Sequence, residues 1–224
     1  MGMHDGHRER LRRRYLTAGL DALDDIQVLE LLLFFTIPRR DTNPIAHRLL
    51  DHFGGLASVL EASPEELRQV EGISIQSAVL LSLFPAVAKR HLRERDNPGE
   101  ILDTFSKCGY YLLPYFFGER DEVVYLLCLD GKLKVRNCQL MYRGSANNVL
   151  VSARRLAETA LACGATYVVL AHNHTSGIAV PSQDDEASTR SIRDALSGVG
   201  IHLIDHIVVA NNDFVSMAES GFAF

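Results

Sequence analysis

Two histidines separated by one residue, His172-Asn173-His174, follow the short run Tyr167-Val168-Val169-Leu170. That run reads as a buried strand because it is brief, apolar and rich in β-branched residues. Side chains two apart on a strand point to one face, so both imidazoles leave the strand end together. Two converging imidazoles are half of a zinc site. A third donor, Asp185, comes a few residues later in Ser182-Gln183-Asp184-Asp185. Plainer readings exist for each piece. Paired histidines can be polar side chains at a solvent edge, and Ser182 with Asp185 is equally a helix N-terminus, the serine as N-cap and the acid three residues on. The cap and the metal site are compatible, since a capped helix start would hold the carboxylate against the strand end.

The elements that must position these residues fall into two halves. The charged stretch Arg93-Glu94-Arg95-Asp96-Asn97 ending in Pro98-Gly99 separates two apolar-periodic regions and places a domain seam between 1–98 and 99–224. The first half reads as all helical. Val28 to Leu33, Ile45 to Leu50 and Leu56 to Leu60 are apolar blocks, Ser63-Pro64-Glu65-Glu66 is a helix start, and Ile75 to Leu92 has helical spacing. In the second half, Val123 to Leu129 reads as a core strand, Asp130-Gly131 as a turn, and Leu133 to Met141 as the return strand. Gly144-Ser145 breaks the chain. An amphipathic helix from Ser152 to Ala162, the histidine strand, the Ser182-capped helix to about Leu196 and a strand from Ile201 to Val209 complete it. The expected class is α/β: a helical domain followed by one mixed sheet covered by helices.

Composition points to an ordinary globular chain. The 224 residues are 47% hydrophobic and 23% charged, enough to bury a sizeable core. No apolar run reaches membrane-spanning length and the polar start Met1-Gly2-Met3-His4-Asp5 lacks a signal-peptide core, so no membrane partner and a cytoplasmic location are expected. Cys108, Cys128, Cys138 and Cys163 show no paired spacing; Cys128 and Cys138 lie in strand-like segments as small hydrophobes in a reducing compartment.

The hairpin Val70-Glu71-Gly72-Ile73-Ser74-Ile75 between two helices resembles the helix-hairpin-helix motif, which binds DNA phosphates through backbone N–H groups. The usual second glycine is Ser74, whose side chain would crowd a phosphate. Residues 1–98 carry thirteen Lys and Arg against fourteen Asp and Glu. The basic cluster Arg8, Arg10, Arg12, Arg13 and Arg14 reads either as a solvated helix face or as a phosphate clamp. A structural role for the hairpin, with weak, non-specific DNA binding at most, is the expectation, because such affinity rests mainly on basic charge.

The spacing His-x-His, seven residues, Ser, two residues, Asp resembles the signature of the JAMM (MPN-type) metallohydrolases. The wording His172-Asn173-His174-x-Ser176-Gly177 with Pro181-Ser182-x-x-Asp185 is similar in particular to the RadC family. Phe53-Gly54-Gly55-Leu56, Leu129-Asp130, Arg143-Gly144-Ser145, Asn147, Arg154 and Asp205-His206-Ile207-Val208 extend the likeness along nearly the whole chain.

That resemblance implies Zn²⁺ held by His172, His174 and Asp185, with a water in the fourth position made nucleophilic by the metal. It gives Ser182 the oxyanion of a tetrahedral intermediate. It also asks for a glutamate five residues before Gly144 to relay the proton, where this chain has Gln139, an amide that cannot accept one at neutral pH. Glu158 is the nearest acid in the following helix. Thr175, Ile178 and Ala153 also depart from the family wording, but none is a ligand. His206 is either a partner that orients a ligand or a histidine packed at a strand start. The implied activity is hydrolysis of an amide or isopeptide bond in a peptide or nucleic-acid-associated substrate, weakened by Gln139. The alternative is a non-catalytic zinc-binding, DNA-associated scaffold linked to DNA repair. A nuclease ranks lower, since no carboxylate cluster for two Mg²⁺ ions is present.

Overall fold

The computed structural model describes residues 5–95, 99–144 and 151–222. The Asp96–Pro98 part of the expected seam, and Ser145 and Asn147 of the family wording, lie outside the described residues, as do Met1 to His4. The chain divides into two compact units, Met1–Ala88 and Lys89–Phe224.

The first unit is helical throughout: α1 (Asp5–Ala18), a 3-10 turn at Leu20–Ala22, α2 (Asp25–Leu33), α3 (Asn43–Phe53), α4 (Leu56–Glu61), α5 (Pro64–Leu67) and the start of α6 (Ile75–Arg95). Asp24 and Ser63 close capping boxes on α2 and α5. Leu29, Leu33, Ile45, Leu49, Leu67 and Leu81 form the fully buried centre. Arg8 belongs to neither reading of the basic cluster. It is buried, lies over the Phe34 ring, and donates to Ile37 O at 2.5 Å and Arg40 O at 2.6 Å. These carbonyls follow the end of α2, where helical partners run out. Arg10, Arg12, Arg13 and Arg14 remain exposed.

At the hairpin, Gly72 takes φ 98°, and a Cβ there would come within 3.0 Å of Ile45. Ser74 then caps α6: its hydroxyl accepts from Ser77 N at 3.2 Å. The amide that a phosphate would seek at this helix start already has a partner.

The boundary between units falls inside α6 rather than after it, because the tail of α6 is bonded to the second unit's own residues. Lys89 pairs with Glu119, and Arg93 donates to Tyr115 O at 3.1 Å and to the Tyr125 hydroxyl at 2.8 Å.

The second unit contains α7 (Phe105–Phe116), β1 (Glu122–Leu129), β2 (Val135–Gly144), α8 (Ala153–Ala162), β3 (Tyr167–Asn173), α9 (Gln183–Ser197), β4 (His202–Ala210) and β5 (Asp213–Ser216). The sheet order is β2-β1-β3-β4-β5. Only the β3–β4 pair is parallel, so the sheet is mixed, as expected. On one face Val123, Tyr125, Leu127, Val169 and Ile207 pack against α7; on the other Val124, Leu126, Leu170 and Leu203 pack against α8 and α9. A sheet buried on both faces explains why β1 and β3 are apolar at nearly every position. The sequence carries no clear expectation for α7 or β5. Gly109 in α7 lets the Phe214 ring of β5 approach, since a Cβ would lie 2.1 Å from it. None of the four cysteines forms a disulfide, and burial pushes the Cys108 thiol up to about 12. No helix among the described residues is long and apolar enough to cross a membrane.

Candidate metal centre

β3 is the central strand of the sheet, paired to β1 and β4 on its two sides. His172 lies opposite Val124 and Val208, on the face that α8 and α9 cover. Asn173 points the other way and locks the start of β1: its Oδ1 accepts from Val123 N at 2.8 Å and its Nδ2 donates to Asp121 O at 3.0 Å. His174 returns to the His172 face, its backbone held by Val209 O at 2.8 Å. After it the chain turns through Gly177, at φ 82°, which brings Ile178 O to 3.2 Å from His174 Nδ1. A carbonyl only accepts, so Nδ1 carries a hydrogen and Nε2 is the nitrogen turned to the cluster.

Asp185 reaches the same point from α9. Ser182 closes a capping box with it: Ser182 N donates to Asp185 Oδ2 at 2.7 Å, the Ser182 hydroxyl donates to that oxygen at 2.6 Å, and Asp185 N donates to Ser182 Oγ at 3.2 Å. The other carboxylate oxygen, Oδ1, faces His172 Nε2 at 3.1 Å. His172 Nε2 and His174 Nε2 stand 3.0 Å apart, and His174 Nε2 is 3.4 Å from Asp185 Oδ2.

Three donor atoms converging in this way fit a metal ion. Ligand bonds of about 2.0–2.1 Å in a tetrahedral site put donors about 3.3–3.4 Å apart, close to the separations here. Among the described residues, His172, His174 and Asp185 are the group of three able to hold one. Without it the cluster behaves as an ion-pair network. The hydrogen bond with Asp185 raises His174 despite its burial, and nearby Glu122 adds to the rise. Burial opposes ionisation of Asp185, but its bonds with both histidines hold it far below the usual carboxylate range.

His206 lies behind the cluster, nearly fully buried, with Nε2 at 2.8 Å from His172 Nδ1 and Nδ1 at 2.5 Å from Thr189 Oγ1. Burial and the neighbouring His172 push its pKa well down. This placement makes His206 a hydrogen-bond partner of His172. Asp205, also fully buried, accepts from the His206 and Ala218 amides at 2.7 and 3.1 Å and fixes this part of β4.

The other expected residues sit elsewhere. Gln139 is exposed on the edge strand β2, level with Leu126 of β1 and Leu170 of β3. It shares the sheet face of His172 but stands two strands away, about 10 Å across the sheet. Its amide oxygen accepts from Asn137 Nδ2 at 3.4 Å. Glu158 is exposed and paired with Arg154 on the surface of α8. The acid that the fold does bring to the cluster is Glu122. Glu122 lies two residues before Val124 on β1, on the face that Val124 shares with His172, and near enough for its charge to raise His174. Its carboxylate makes no hydrogen bond among the described residues, and its field reaches His174. The signal in the sequence is the antiparallel pairing of an acid at one strand's start with a histidine past another's end. It becomes readable only once β1 and β3 are known to be neighbours.

Fold and cluster together define a class: a helix-covered mixed sheet that presents, at a strand end, a His-x-His and aspartate cluster able to hold a metal ion. The RadC-like JAB domain family matches residues 102–222. A UPF0758 protein of Ruegeria pomeroyi is 34% identical over 216 residues, 96% of each chain. One from a Polaromonas species is 34% identical over 212 residues, 95% of each chain. The chain belongs to the RadC family.

Proposed function

We propose that this protein is a zinc-dependent hydrolase of amide or isopeptide bonds, with His172, His174 and Asp185 as ligands and Glu122 as proton relay. One observation carries the reading: three metal donors and a carboxylate without a hydrogen-bond partner among the described residues share one end and one face of the sheet. Bound zinc supplies a Lewis acid that lowers the pKa of a water toward neutrality. The Glu122 carboxylate would take the proton from the attacking water and deliver it to the departing nitrogen. Ser182 has a first task in holding Asp185 Oδ2. Its hydroxyl can turn to a substrate oxygen only by leaving that 2.6 Å bond, while the backbone bond at 2.7 Å keeps the carboxylate aimed.

Because Glu122 and not residue 139 stands beside the cluster, Gln139 is no obstacle to hydrolysis. The scaffold alternative loses the residue that favoured it, and the capped hairpin at Ser74 gives DNA association little support. The deciding experiment compares Glu122→Gln and Gln139→Glu with wild type on a panel of peptide, isopeptide and nucleic-acid substrates, with zinc content measured in parallel. Loss of about 10²–10⁴-fold in Glu122→Gln at unchanged zinc, with little change in Gln139→Glu, is expected. Activity that ignores Glu122 and rises in Gln139→Glu would return the relay to position 139.

A further inference from the structure

We infer that Thr189 and His206 are positioning residues that keep a hydrogen on His172 Nδ1, so that Nε2 is the ring nitrogen left to a metal ion. Thr189 Oγ1 lies 2.6 Å from the backbone oxygen of Asp185, one helical turn back in α9. A carbonyl oxygen only accepts, so the Thr189 hydroxyl hydrogen is committed there; the alternative acceptor, Met217 Sδ, is 3.8 Å away and weak. Turning that hydrogen to His206 instead would leave two oxygens 2.6 Å apart with nothing between them.

Thr189 Oγ1 must therefore accept from His206, and at 2.5 Å the donor is Nδ1–H. A neutral imidazole with hydrogen on Nδ1 has a lone pair on Nε2. His206 Nε2 lies 2.8 Å from His172 Nδ1, so His172 is the donor in this second bond. His172 thus carries a hydrogen on Nδ1, and its Nε2 is the nitrogen turned to His174 Nε2 at 3.0 Å and Asp185 Oδ1 at 3.1 Å. The chain closes on itself: it starts at the Asp185 backbone and ends facing the Asp185 side chain. Thr189 and His206 are both buried, so water does not compete for these bonds.

The tautomer assignment stands on hydrogen-bond geometry, while its effect on metal rests on the zinc reading above. The test keeps the two apart. Long-range ¹H–¹⁵N correlation spectra of the metal-free protein at about pH 8, above the ordinary imidazole range, report which ring nitrogen of each histidine bears hydrogen. Zinc affinity by chelator competition is measured on the same samples. Wild type and Thr189→Ser should show hydrogen on Nδ1 of both His172 and His206. Thr189→Val keeps the shape of the side chain but removes the acceptor; His172 should shift to the Nε2–H form and zinc binding should weaken about 10–100-fold. Circular dichroism identifies any variant that fails to fold, and His206→Gln, which can offer an amide oxygen to His172 Nδ1–H, should retain the His172 tautomer. An Nε2–H form of His172 in wild type, or a Thr189→Val protein with unchanged tautomers and zinc affinity, overturns the inference. The expected tautomers without zinc binding would support it and count against the zinc reading instead.

Discussion

Ser182 spends both its backbone N–H and its hydroxyl on one oxygen of Asp185, at 2.7 and 2.6 Å, leaving the other oxygen turned to His172. The helix cap and the aiming of a ligand are thus one structure. Ser182→Ala should cost about 1 kcal/mol of stability through the lost cap. It should also weaken zinc binding about 10-fold or more, because Ser182 then holds the carboxylate through its backbone N–H alone. Denaturant unfolding and chelator competition on the same preparation would check both. Full zinc affinity in the alanine variant would mean that the α9 backbone alone aims the carboxylate.

Glu119 gives the second unit a pH dependence that can be read without metal. Burial works against its ionisation, yet hydrogen bonds from Arg143 and Lys89 hold its carboxyl below the ordinary range. A depressed folded pKa stabilises above the unfolded value, about 4.3, and the contribution fades as pH falls through the folded value. Melting temperature should therefore drop as pH is lowered from about 5 toward 3, roughly the carboxylate range. Glu119→Gln should flatten that drop and cost about 3 kcal/mol at neutral pH, since it leaves Lys89 half-buried without its charge partner. An acid transition of the same size in Glu119→Gln would place its origin in other carboxylates.

The sequence made some elements legible and hid others for physical reasons. The helices of the first unit announce themselves by caps and apolar periodicity, and β1, β3 and α9 by apolar runs and the Ser182 start. Helix α7 has the pattern Cys108, Tyr111, Leu112, Tyr115 and Phe116 on its buried side, but Gly109 and Pro114 within it argue against a helix when read locally. Tertiary contact with Phe214 explains the glycine. The donors of the cluster were readable because spacing on one strand and one helix start encodes them. Glu122 was not, since its place depends on which strands are neighbours, and the expected acid at 139 falls on the far side of β1.

Variants at Arg8 and Ser74 test whether the first unit binds DNA. Arg8→Ala should lower stability by about 2–3 kcal/mol, since it strands the carbonyls after α2, and should leave DNA affinity unchanged in protein that remains folded. Wild type should bind DNA weakly, without sequence preference, and lose that binding as salt rises. Ser74→Gly frees the Ser77 amide and should strengthen binding modestly. Anisotropy titrations over a salt series measure all three; tight wild-type binding that survives high salt would contradict this reading of the hairpin.

The central claim is a zinc ion held by His172, His174 and Asp185. Its most direct test is anomalous diffraction across the zinc absorption edge, on crystals of protein purified without chelator. The account predicts one peak, bounded by His172 Nε2, His174 Nε2 and Asp185 Oδ1, and its disappearance in a His172→Ala, His174→Ala double variant. A peak at other residues, a peak that survives the double variant, or no peak in crystals supplied with zinc would contradict it.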